Sequence, residues 1–565
     1  MPNVNANILF LYTIRYVDKK QLHVSEVLID MIELKELDAA GITNAIKESL
    51  QSLFLNVDDI RGQGYDGAAV MSGNFLLCFC FIRICLQLNI YTHACYLPCS
   101  STGSVSGVAT RFLEENAAAI YTHCQAHSLQ LTLKDVLSSS SMLALSFSLL
   151  SDIYEIINSS PTRLIAYFKE LCEHMNVNDG SNGNTRDGKI PRHCPTRFSC
   201  NVPAITNAIR NYKPIYNTIS QLSHNKNLSL KAGLSEKLHS CFRSLQQFAT
   251  ILGLIICKLV FTLTDKSSKQ LQSQTLTAQS ANGIIHNLKT TSSDYRTKEE
   301  YWKDCWDEAI EIANSVDIEP QLPRRSKVNR RYDDGAENHQ FEVEQYYRKM
   351  YYEVMDMLIA SLDDRLNSEA IELLSSIEHL VVAACQEERT NRDCVVPQNI
   401  QSIYEKDFTF GKYNIDDLSG ELMALRSDME LYCKRENIKG RITGIDQVIE
   451  FLSKADVDTS ARYCLTKILL QLYLTPPLTS CSSERAFSAM RRIKTWSRST
   501  MRQDRFRNLM LLHCHKELTL DLEVDDVIDL FISNCKNTSR ALEFGAPKKK
   551  EKTILNYSWP PPIPN

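Results

Sequence analysis

The stretch that most constrains the fold lies near the C-terminus, where residues 482–518 read SSERAFSAMRRIKTWSRSTMRQDRFRNLMLLHCHKEL. Apolar side chains recur every third residue in its first half, at Phe487, Met490, Ile493 and Trp496. A second helical stripe follows at Leu509, Met510, Leu512 and His513. This spacing predicts two short helices. Each apolar stripe must be buried against a partner, either elsewhere in the chain or on another chain.

Basic side chains crowd the same stretch. They are Arg485, Arg491, Arg492, Lys494, Arg498, Arg502, Arg505 and Arg507. Among them stands one acid, Asp504, although the whole chain has a formal net charge of −4. The local field is therefore positive, which predicts contact with a polyanion such as DNA without sequence preference. We assign this contact first to Arg485, Arg491, Arg492, Lys494, Arg498 and Arg502.

The wording S-S-E-R-A-F-S, followed by R-R-I-K-T and R-S-T-M, resembles the C-terminal dimerisation segment of hAT-type transposases. In that family the glutamate of this motif is the last acid of a metal-binding Asp-Asp-Glu triad on a ribonuclease-H-like fold. The resemblance implies that role for Glu484, and it implies a homodimer built on Phe487, Met490, Ile493, Trp496, Leu509 and Leu512. Without the resemblance, Glu484 is explained by the first turn of a helix opened by Ser480 or Ser482, where a carboxylate stabilises the helix by roughly 0.3 to 1 kcal/mol.

Composition indicates a soluble globular protein. The 565 residues suffice for two or three domains, and 44% hydrophobic with 23% charged residues is ordinary. Nineteen cysteines occur without a signal peptide or a spacing typical of disulfides. We therefore expect reduced thiols in the nucleus or cytosol.

The N-terminal region predicts a β-hairpin, over residues 8–17 and 22–34, and then a helix over about 40–53. The sequence RGQGYDGAAVMSG follows, in which Gly64 and Gly67 flank the single acid Asp66. I-R-Y-V-D and R-G-Q-G-Y-D-G resemble the hAT-derived domain of zinc-finger MYM-type proteins, which implies that Asp66 is the second triad acid. The alternative is an aspartate in an ordinary glycine-rich turn.

In those relatives the first triad aspartate lies on the strand before the I-R-Y-V strand. Here only residues 1–7 precede Ile8, and they contain no acid. We therefore expect an N-terminally truncated, catalytically inactive remnant in which Asp66 and Glu484 are vestigial. No cofactor is expected, and Mg²⁺ would be required only if the triad were complete.

Residues 75–104 differ from their surroundings, with five cysteines and an apolar run that is broken by Arg83, Gln87 and Asn89. A membrane span needs about 20 apolar residues, so we expect no membrane association. In the relatives M-S-G is separated by only a few residues from G-V-A-x-R-F, which here resumes at Gly107. We interpret the segment as an aberrant insert, such as translated intron.

Cys124 and His127 have half of a zinc-site spacing. A structural zinc needs four ligands, and the next pair, His193 and Cys194, is adjacent rather than spaced. The pair is thus a weak metal candidate. The alternative is a helix that packs through Leu129, Leu131 and Leu133, as in the H-C-x-x-H-x-L-x-L segment of hAT relatives.

The fold class predicted is α/β plus α. An incomplete ribonuclease-H-like domain over 1–200 is split from its C-terminal part by an all-α insertion over 201–455, where helical periodicity is nearly continuous. A dimerisation region over 456–545 follows, with a helix over 460–473 that ends at Pro476. Residues 546–565 form a basic, proline-rich tail that is expected to be disordered, and its lysines at 548–552 suggest nuclear import.

Three functions remain open from the sequence. The chain can be a domesticated hAT-derived protein that acts by dimerisation and DNA contact, an active transposase using two Mg²⁺ ions, or a zinc-binding transcriptional regulator. We favour the first, with residues 456–545 forming a homodimer by themselves. In the rival interpretation, the apolar side chains of 487–513 fill the core of their own chain.

Overall fold

A computed structural model describes residues 8–18, 21–34, 36, 38–65, 77–84, 107–178, 190–192, 201–225, 232–273, 276–322, 342–366, 369–386, 394–409, 414–437, 442–478, 486, 488–490, 492–494 and 501–534. Within these residues the chain is mostly helical, with one small sheet.

The predicted N-terminal hairpin is confirmed. Strands β1 (Ile8–Val17) and β2 (Val24–Leu34) pair antiparallel, with Ile8 opposite Leu34 and Val17 opposite Val24. The turn between them is closed by Asp18, whose carboxylate accepts a hydrogen bond from the Gln21 amide at 2.6 Å. An aspartate suits this place because its short side chain can bond the backbone of the turn.

The sheet has five strands in the order β2-β1-β4-β3-β5, where β3 is Ile60–Tyr65, β4 is Leu77–Ile84 and β5 is Ile120–His123. The central strand β4 runs parallel to β1 and antiparallel to β3, and β3 runs parallel to β5. Strand β4 falls inside the segment 75–104 that we interpret as an insert, so this structure uses part of that segment as the middle of the sheet. The interpretation as an aberrant insert stays a prediction.

The helix predicted at 40–53 is confirmed as Ala39–Ser52. It begins at Asp38, whose side chain accepts a hydrogen bond from the Gly41 amide at 2.8 Å, as an N-cap residue should. Ile42, Ile46 and Leu50 follow at intervals of four residues and are buried. This periodicity fixes the face that the helix turns to the core.

Two compact units can be distinguished by their internal contacts. The first comprises residues 1–124, 277–279 and 368–565, and thus joins both ends of the sequence. Besides the sheet and a 3₁₀ turn at Val57–Asp59, its helices are Ala39–Ser52, Val108–Glu115, Glu369–Ala384, Gln398–Thr409, Asp417–Arg435, Ile445–Ser453, Val457–Arg462, Cys464–Leu474, Gln503–Cys514, Lys516–Leu520 and Val524–Asn534.

One hydrophobic core runs through this first unit. It contains side chains from the N-terminal hairpin, such as Ile14 and Val17, together with Leu469, Phe506 and Met510 from the C-terminal helices. The two ends of the sequence therefore bury their apolar surface against a common interior.

The second unit comprises residues 125–276 and 280–367. Its helices are Gln125–Ser139, Ser141–Asn158, Pro161–Asn178, Asn201–Arg210, Tyr212–His224, Ala232–Leu245, Phe248–Leu271, Ala278–Thr297 (which begins in the first unit), Glu299–Ser315 and Val343–Arg365. The helical pattern predicted around Trp302 is confirmed, since Trp302, Cys305 and Ala309 are buried on one face. No strand occurs among the described residues of this unit.

Helix Phe248–Leu271 is the centre of the second unit and packs against five of its neighbours, including Ser141–Asn158. The close approach of these two helices requires Gly253, because a Cβ at that position would overlap the side chain of Ser146. By length and composition this helix could also cross a membrane, and a bent pair, Gln125–Ser139 with Ser141–Asn158, passes the same test only if taken as one span. However, 67% of the apolar window of Phe248–Leu271 is buried by the surrounding protein, as in the core helix of a globular unit.

The boundaries of the two units lie after Cys124 and around residue 367. The sequence placed an all-α insertion at 201–455 instead. The helices from Gln125 to Asn178 belong with the second unit, whereas those from Glu369 onward pack with the sheet-containing unit. The domain limits given from the sequence stay predictions.

Candidate dimerisation surface

The C-terminal helices form the candidate functional site. The second helix predicted there is confirmed as Gln503–Cys514, and two more helices follow at Lys516–Leu520 and Val524–Asn534. Of the first predicted helix, residues 486, 488–490 and 492–493 are described and are helical.

The inner face of these helices fills the core of the first unit. Met510 is fully buried, Phe506 is 1% exposed, and helix Gln503–Cys514 packs on strand β2. His515 adds a polar tie, with its Nε2 atom 2.8 Å from the carbonyl oxygen of Leu28 on β2. This packing fixes how the C-terminal helices lie on the edge of the sheet.

Met490 and Ile493 belong to the same core and are only 7% and 9% exposed. Burial within one chain is what the rival interpretation expects, in which these apolar side chains fill the core of their own chain. Leu509 is half-buried against this core, whereas Leu512 is 48% exposed. The assignment of these side chains to a dimer contact stays a prediction, and Leu512 is the one that the structure leaves most accessible among those described.

The outer face carries a run of exposed apolar side chains. They are Leu512 (48% exposed), Leu518 (46%), Leu520 (84%), Leu522 (37%), Val524 (69%), Val527 (48%), Leu530 (63%) and Phe531 (46%). We call these eight residues the C-terminal apolar surface. Single exposed apolar residues are common on proteins, but a dense run of them is typical of an interaction site.

Helix Val524–Asn534 shows why this surface points outward. Val524, Val527 and Leu530 recur at helical spacing on an exposed side, while Ile532 lies on the side that is buried. Asp525 and Asp526 lie in the first turn, where carboxylates favour the helix dipole. The helix thus has more apolar surface than one contact with its own chain covers.

Basic side chains lie beside the apolar surface. Arg492, Arg502, Arg505, Arg507 and Lys516 are exposed. Burial, followed by the charges of Lys516 and Arg492, lowers the pKa of His513 below its ordinary value. Lys516 and Arg492 thus lie close enough to His513 to act on its charge, and a local excess of positive charge favours contact with anions.

Lys494 differs from Arg492 and Arg502, the other predicted DNA-contacting residues that the structure describes, because it is half-buried. Its Nζ atom lies 5.2 Å from the centre of the Phe506 ring, and burial lowers its pKa. A half-buried ammonium over an aromatic ring contributes to packing within the chain. Its role in nucleic-acid contact stays a prediction.

Several predicted site residues lie outside the described residues. They are Asp66, Glu484, Arg485, Phe487, Arg491, Trp496 and Arg498, together with His193, Cys194 and the tail 546–565. The proposed catalytic pair and the two aromatic anchors therefore remain sequence-based expectations.

The weak zinc candidates are both described. Cys124 is buried directly after strand β5 and is the last residue of the first unit, whereas His127 lies in helix Gln125–Ser139 of the second unit. In that helix Leu129 and Leu133 are buried, as the packing alternative expects, and Leu131 is half-buried. Among the residues that the structure describes, no group of three or more His, Cys, Asp or Glu side chains could hold a metal ion.

The sequence reasoning missed most of the C-terminal apolar surface, because it stopped at Leu518. The signal was present in LTLDLEVDDVIDLF, residues 518–531, where apolar residues first alternate and then recur at helical spacing. Alternation is typical of a strand. The sequence pattern alone therefore does not indicate one continuous apolar surface over these residues.

Comparison with known proteins places this geometry in context. Residues 8–76 match the RNase-like domain described as ZMYM1/FAM200, and residues 435–518 match the hAT family C-terminal dimerisation region. The chain is 24% identical over 439 residues to the human "52 kDa repressor of the inhibitor of the protein kinase", which covers 75% of this chain and 53% of that protein. It is 23% identical over 438 residues to the mouse protein of the same name, with the same coverage. The chain spans about half the length of these curated relatives.

Proposed function

We propose that this chain, a hAT-derived protein with an RNase-like region and a hAT dimerisation region, acts as a regulator through self-association and not through DNA cleavage. Two relatives carry the name of a repressor, which supports a regulatory role. We place its action in the nucleus, in keeping with that role and with the lysines at 548–552.

The observation that carries the proposal is the continuity of the C-terminal apolar surface with the dimerisation match. That match ends at residue 518, and the exposed side chains begin within it at Leu512 and continue to Phe531. A second copy of the chain would cover this surface, since the same patch can pair with itself about a two-fold axis.

We further propose that the first unit is a ribonuclease-H-like domain interrupted in sequence by the helical second unit. Support comes from the way in which residues 1–124 and 368–565 share one unit and one core. Under this arrangement the dimerisation helices are anchored directly on the sheet through β2.

Asp66 and Glu484 are proposed to be vestigial. Two-metal hydrolysis requires carboxylates that hold two cations about 3.5 to 4 Å apart. Asp66 and Glu484 would have to act together with a third acid. A protein that regulates by pairing does not depend on this chemistry. We therefore expect neither strand transfer nor nicking of DNA with Mg²⁺ or Mn²⁺.

The proposal is tested with two differently tagged copies of the full chain. Capture of one copy should retain the other, Leu530→Asp should abolish the retention, and Glu484→Gln should leave it unchanged. Retention that survives Leu530→Asp would overturn the assignment of the surface. Metal-dependent DNA cleavage that disappears in Glu484→Gln would instead restore the transposase alternative.

A further inference from the structure

A different surface of the first unit contains a side chain that is poorly suited to its position. Helix Ala39–Ser52 ends in a turn in which the Phe54 amide donates to the Gln51 carbonyl at 3.0 Å and the Leu55 amide donates to the Leu50 carbonyl at 3.0 Å. This is the Schellman arrangement, whose C′ residue adopts the left-handed conformation. Phe54 occupies that place with φ of 59°.

Glycine is the usual residue at such a position, because a Cβ makes left-handed backbone unfavourable. The other described residues with positive φ have a local explanation. Leu22 is 3% exposed and is held by the core, while Asp317 and Asn437 are of types that tolerate this conformation. Phe54 has neither explanation, since its side chain is 94% exposed.

The left-handed backbone at Phe54 therefore weakens the isolated fold, and the exposed ring gains no packing energy in return. An exposed phenylalanine in the left-handed conformation is explained if another segment covers its ring. Aromatic side chains are also the residues that most often anchor interfaces.

The charges around Phe54 indicate what kind of segment fits. The 3₁₀ turn Val57–Asp59 and helix Ala39–Ser52 both pack against helix Val108–Glu115. Exposed acids on these elements are Glu48, Asp58, Glu114 and Glu115. The cations on or beside these elements are Lys47, which pairs with Glu115, Arg61, which pairs with Asp407, and the half-buried Arg111. We call this set the acidic collar of Phe54.

One segment of this chain has the complementary chemistry. Residues 546–565, APKKKEKTILNYSWPPPIPN, contain four lysines and one acid, followed by aromatic residues and prolines. Proline-rich segments dock on surfaces that are lined by aromatic side chains, and lysines favour a surface of acids. We propose that Phe54 and its acidic collar bind the C-terminal segment 546–565 of the same chain.

The chain length permits this contact. Helices Ala39–Ser52 and Gln503–Cys514 both pack against strand β2, so the C-terminal helices and the Phe54 helix belong to one neighbourhood of the first unit. Residues 535–545 connect the last described helix to the segment, and eleven residues can span up to about 36 to 40 Å. This contact does not depend on the C-terminal apolar surface.

The test uses the full chain and limited trypsin cleavage after the lysines at 548–552, followed by mass spectrometry. Phe54→Gly should accelerate the release of the C-terminal peptide about tenfold, because cleavage follows the population of the open segment. The same change should leave the thermal midpoint within about 2 °C of wild type, because relief of the left-handed strain offsets the lost contact with the C-terminal segment. Faster cleavage without a lower thermal midpoint cannot result from global unfolding.

Matched variants complete the experiment. Phe54→Trp should retain protection, whereas the double change Glu48→Gln with Asp58→Asn should lose part of it, as should the wild-type chain at about 1 M salt. Equal cleavage rates in wild-type and Phe54→Gly would overturn the proposal. Protection that vanishes on dilution of the wild-type chain would also overturn it, because the occupant would then come from a second copy.

Discussion

Arg15 and Leu474 lie 459 residues apart in the sequence, and the Nη2 atom of Arg15 donates to the Leu474 carbonyl oxygen at 2.9 Å. The Nη1 atom of the same guanidinium bonds Glu26 on the neighbouring strand at 2.8 Å. Arg15 thus joins strand β1, which belongs to the RNase-like match, to the end of helix Cys464–Leu474, which belongs to the dimerisation match. The carbonyls at a helix C-terminus favour such a cation.

Replacing Arg15 should weaken the connection between these two regions and so lower the stability of the fold. Arg15→Met keeps the apolar stem but removes the ion pair with Glu26 and the hydrogen bond to Leu474, so we expect the free energy of unfolding to fall by about 1.5 to 3 kcal/mol. Arg505→Met, at an exposed site of the same unit, is the matched control and should change stability by less than about 0.5 kcal/mol. Urea unfolding followed by circular dichroism measures both. Equal effects would show that the contact between Arg15 and Leu474 contributes nothing.

The ion pair between Arg61 and Asp407 predicts that replacing one partner costs more stability than replacing the other. The Nε atom of Arg61 lies 2.6 Å from Oδ1 of Asp407, and the two side chains are 13% and 11% exposed. Burial raises the pKa of Asp407 in spite of the nearby Arg61. Arg61→Met, which leaves a buried charge unpaired, should destabilise the fold by about 3 to 5 kcal/mol. Asp407→Asn should cost less, because it removes the charge whose desolvation is unfavourable.

Lys467 gives a prediction for alkaline pH. It is 7% exposed and donates to the Ser460 hydroxyl at 2.6 Å, and burial lowers its pKa below 10.5 although Asp18 acts in the opposite direction. The unfolded chain therefore keeps this proton to higher pH than the folded chain. Stability contributed by this group rises as pH increases from the folded pKa to the unfolded one, and is missing below that window.

Lys467→Met should remove that dependence. The variant should be at least as stable as wild type near pH 7, because a buried ammonium is replaced by an apolar side chain of similar length. The stability difference between variant and wild type should shrink as pH approaches about 10. Thermal unfolding at pH 7, 8, 9 and 10 gives this difference, and a constant difference would contradict the interpretation.

Much of the first unit could be predicted from the sequence by local patterns. The strand pair at 8–34 and the helix that begins after Asp38 are set by alternation, turn chemistry and a capping residue, all of which act within a few residues. The helix around Trp302 was predictable for the same reason, since its apolar spacing is regular.

The remaining features depend on contacts between distant residues. Arg15 reaches Leu474, and His515 reaches Leu28, and no local pattern encodes either pairing. Met490 and Ile493 are assigned to a dimer contact from the sequence, and an apolar stripe alone does not reveal what covers it. Strand β4 lies between β1 and β3 although it follows them both in sequence, and such a pairing order cannot be inferred from spacing alone.

The basic side chains near the dimerisation surface predict weak binding of duplex DNA. Arg502 and Arg505 are exposed, and each phosphate that a cation neutralises contributes about 0.9 to the slope of log affinity against log salt. Replacing both residues by Gln should lower that slope by up to about 2. Lys169→Gln, in the helical unit, is the control. Fluorescence anisotropy over a salt series measures the slope, and a flat response would remove DNA contact from the account.

Self-association of the full chain is tested most directly by sedimentation equilibrium at tens of micromolar protein. We expect a dimer, since a modest interface has a dissociation constant of roughly 1 μM. Val527→Asp and Leu530→Asp should yield monomers with unchanged circular dichroism. By contrast, Phe506→Ala should destabilise the fold by about 3 to 5 kcal/mol, because that ring is buried in the core. A wild-type chain that sediments as a folded monomer at these concentrations would contradict the proposal that this protein acts by pairing through its C-terminal apolar surface.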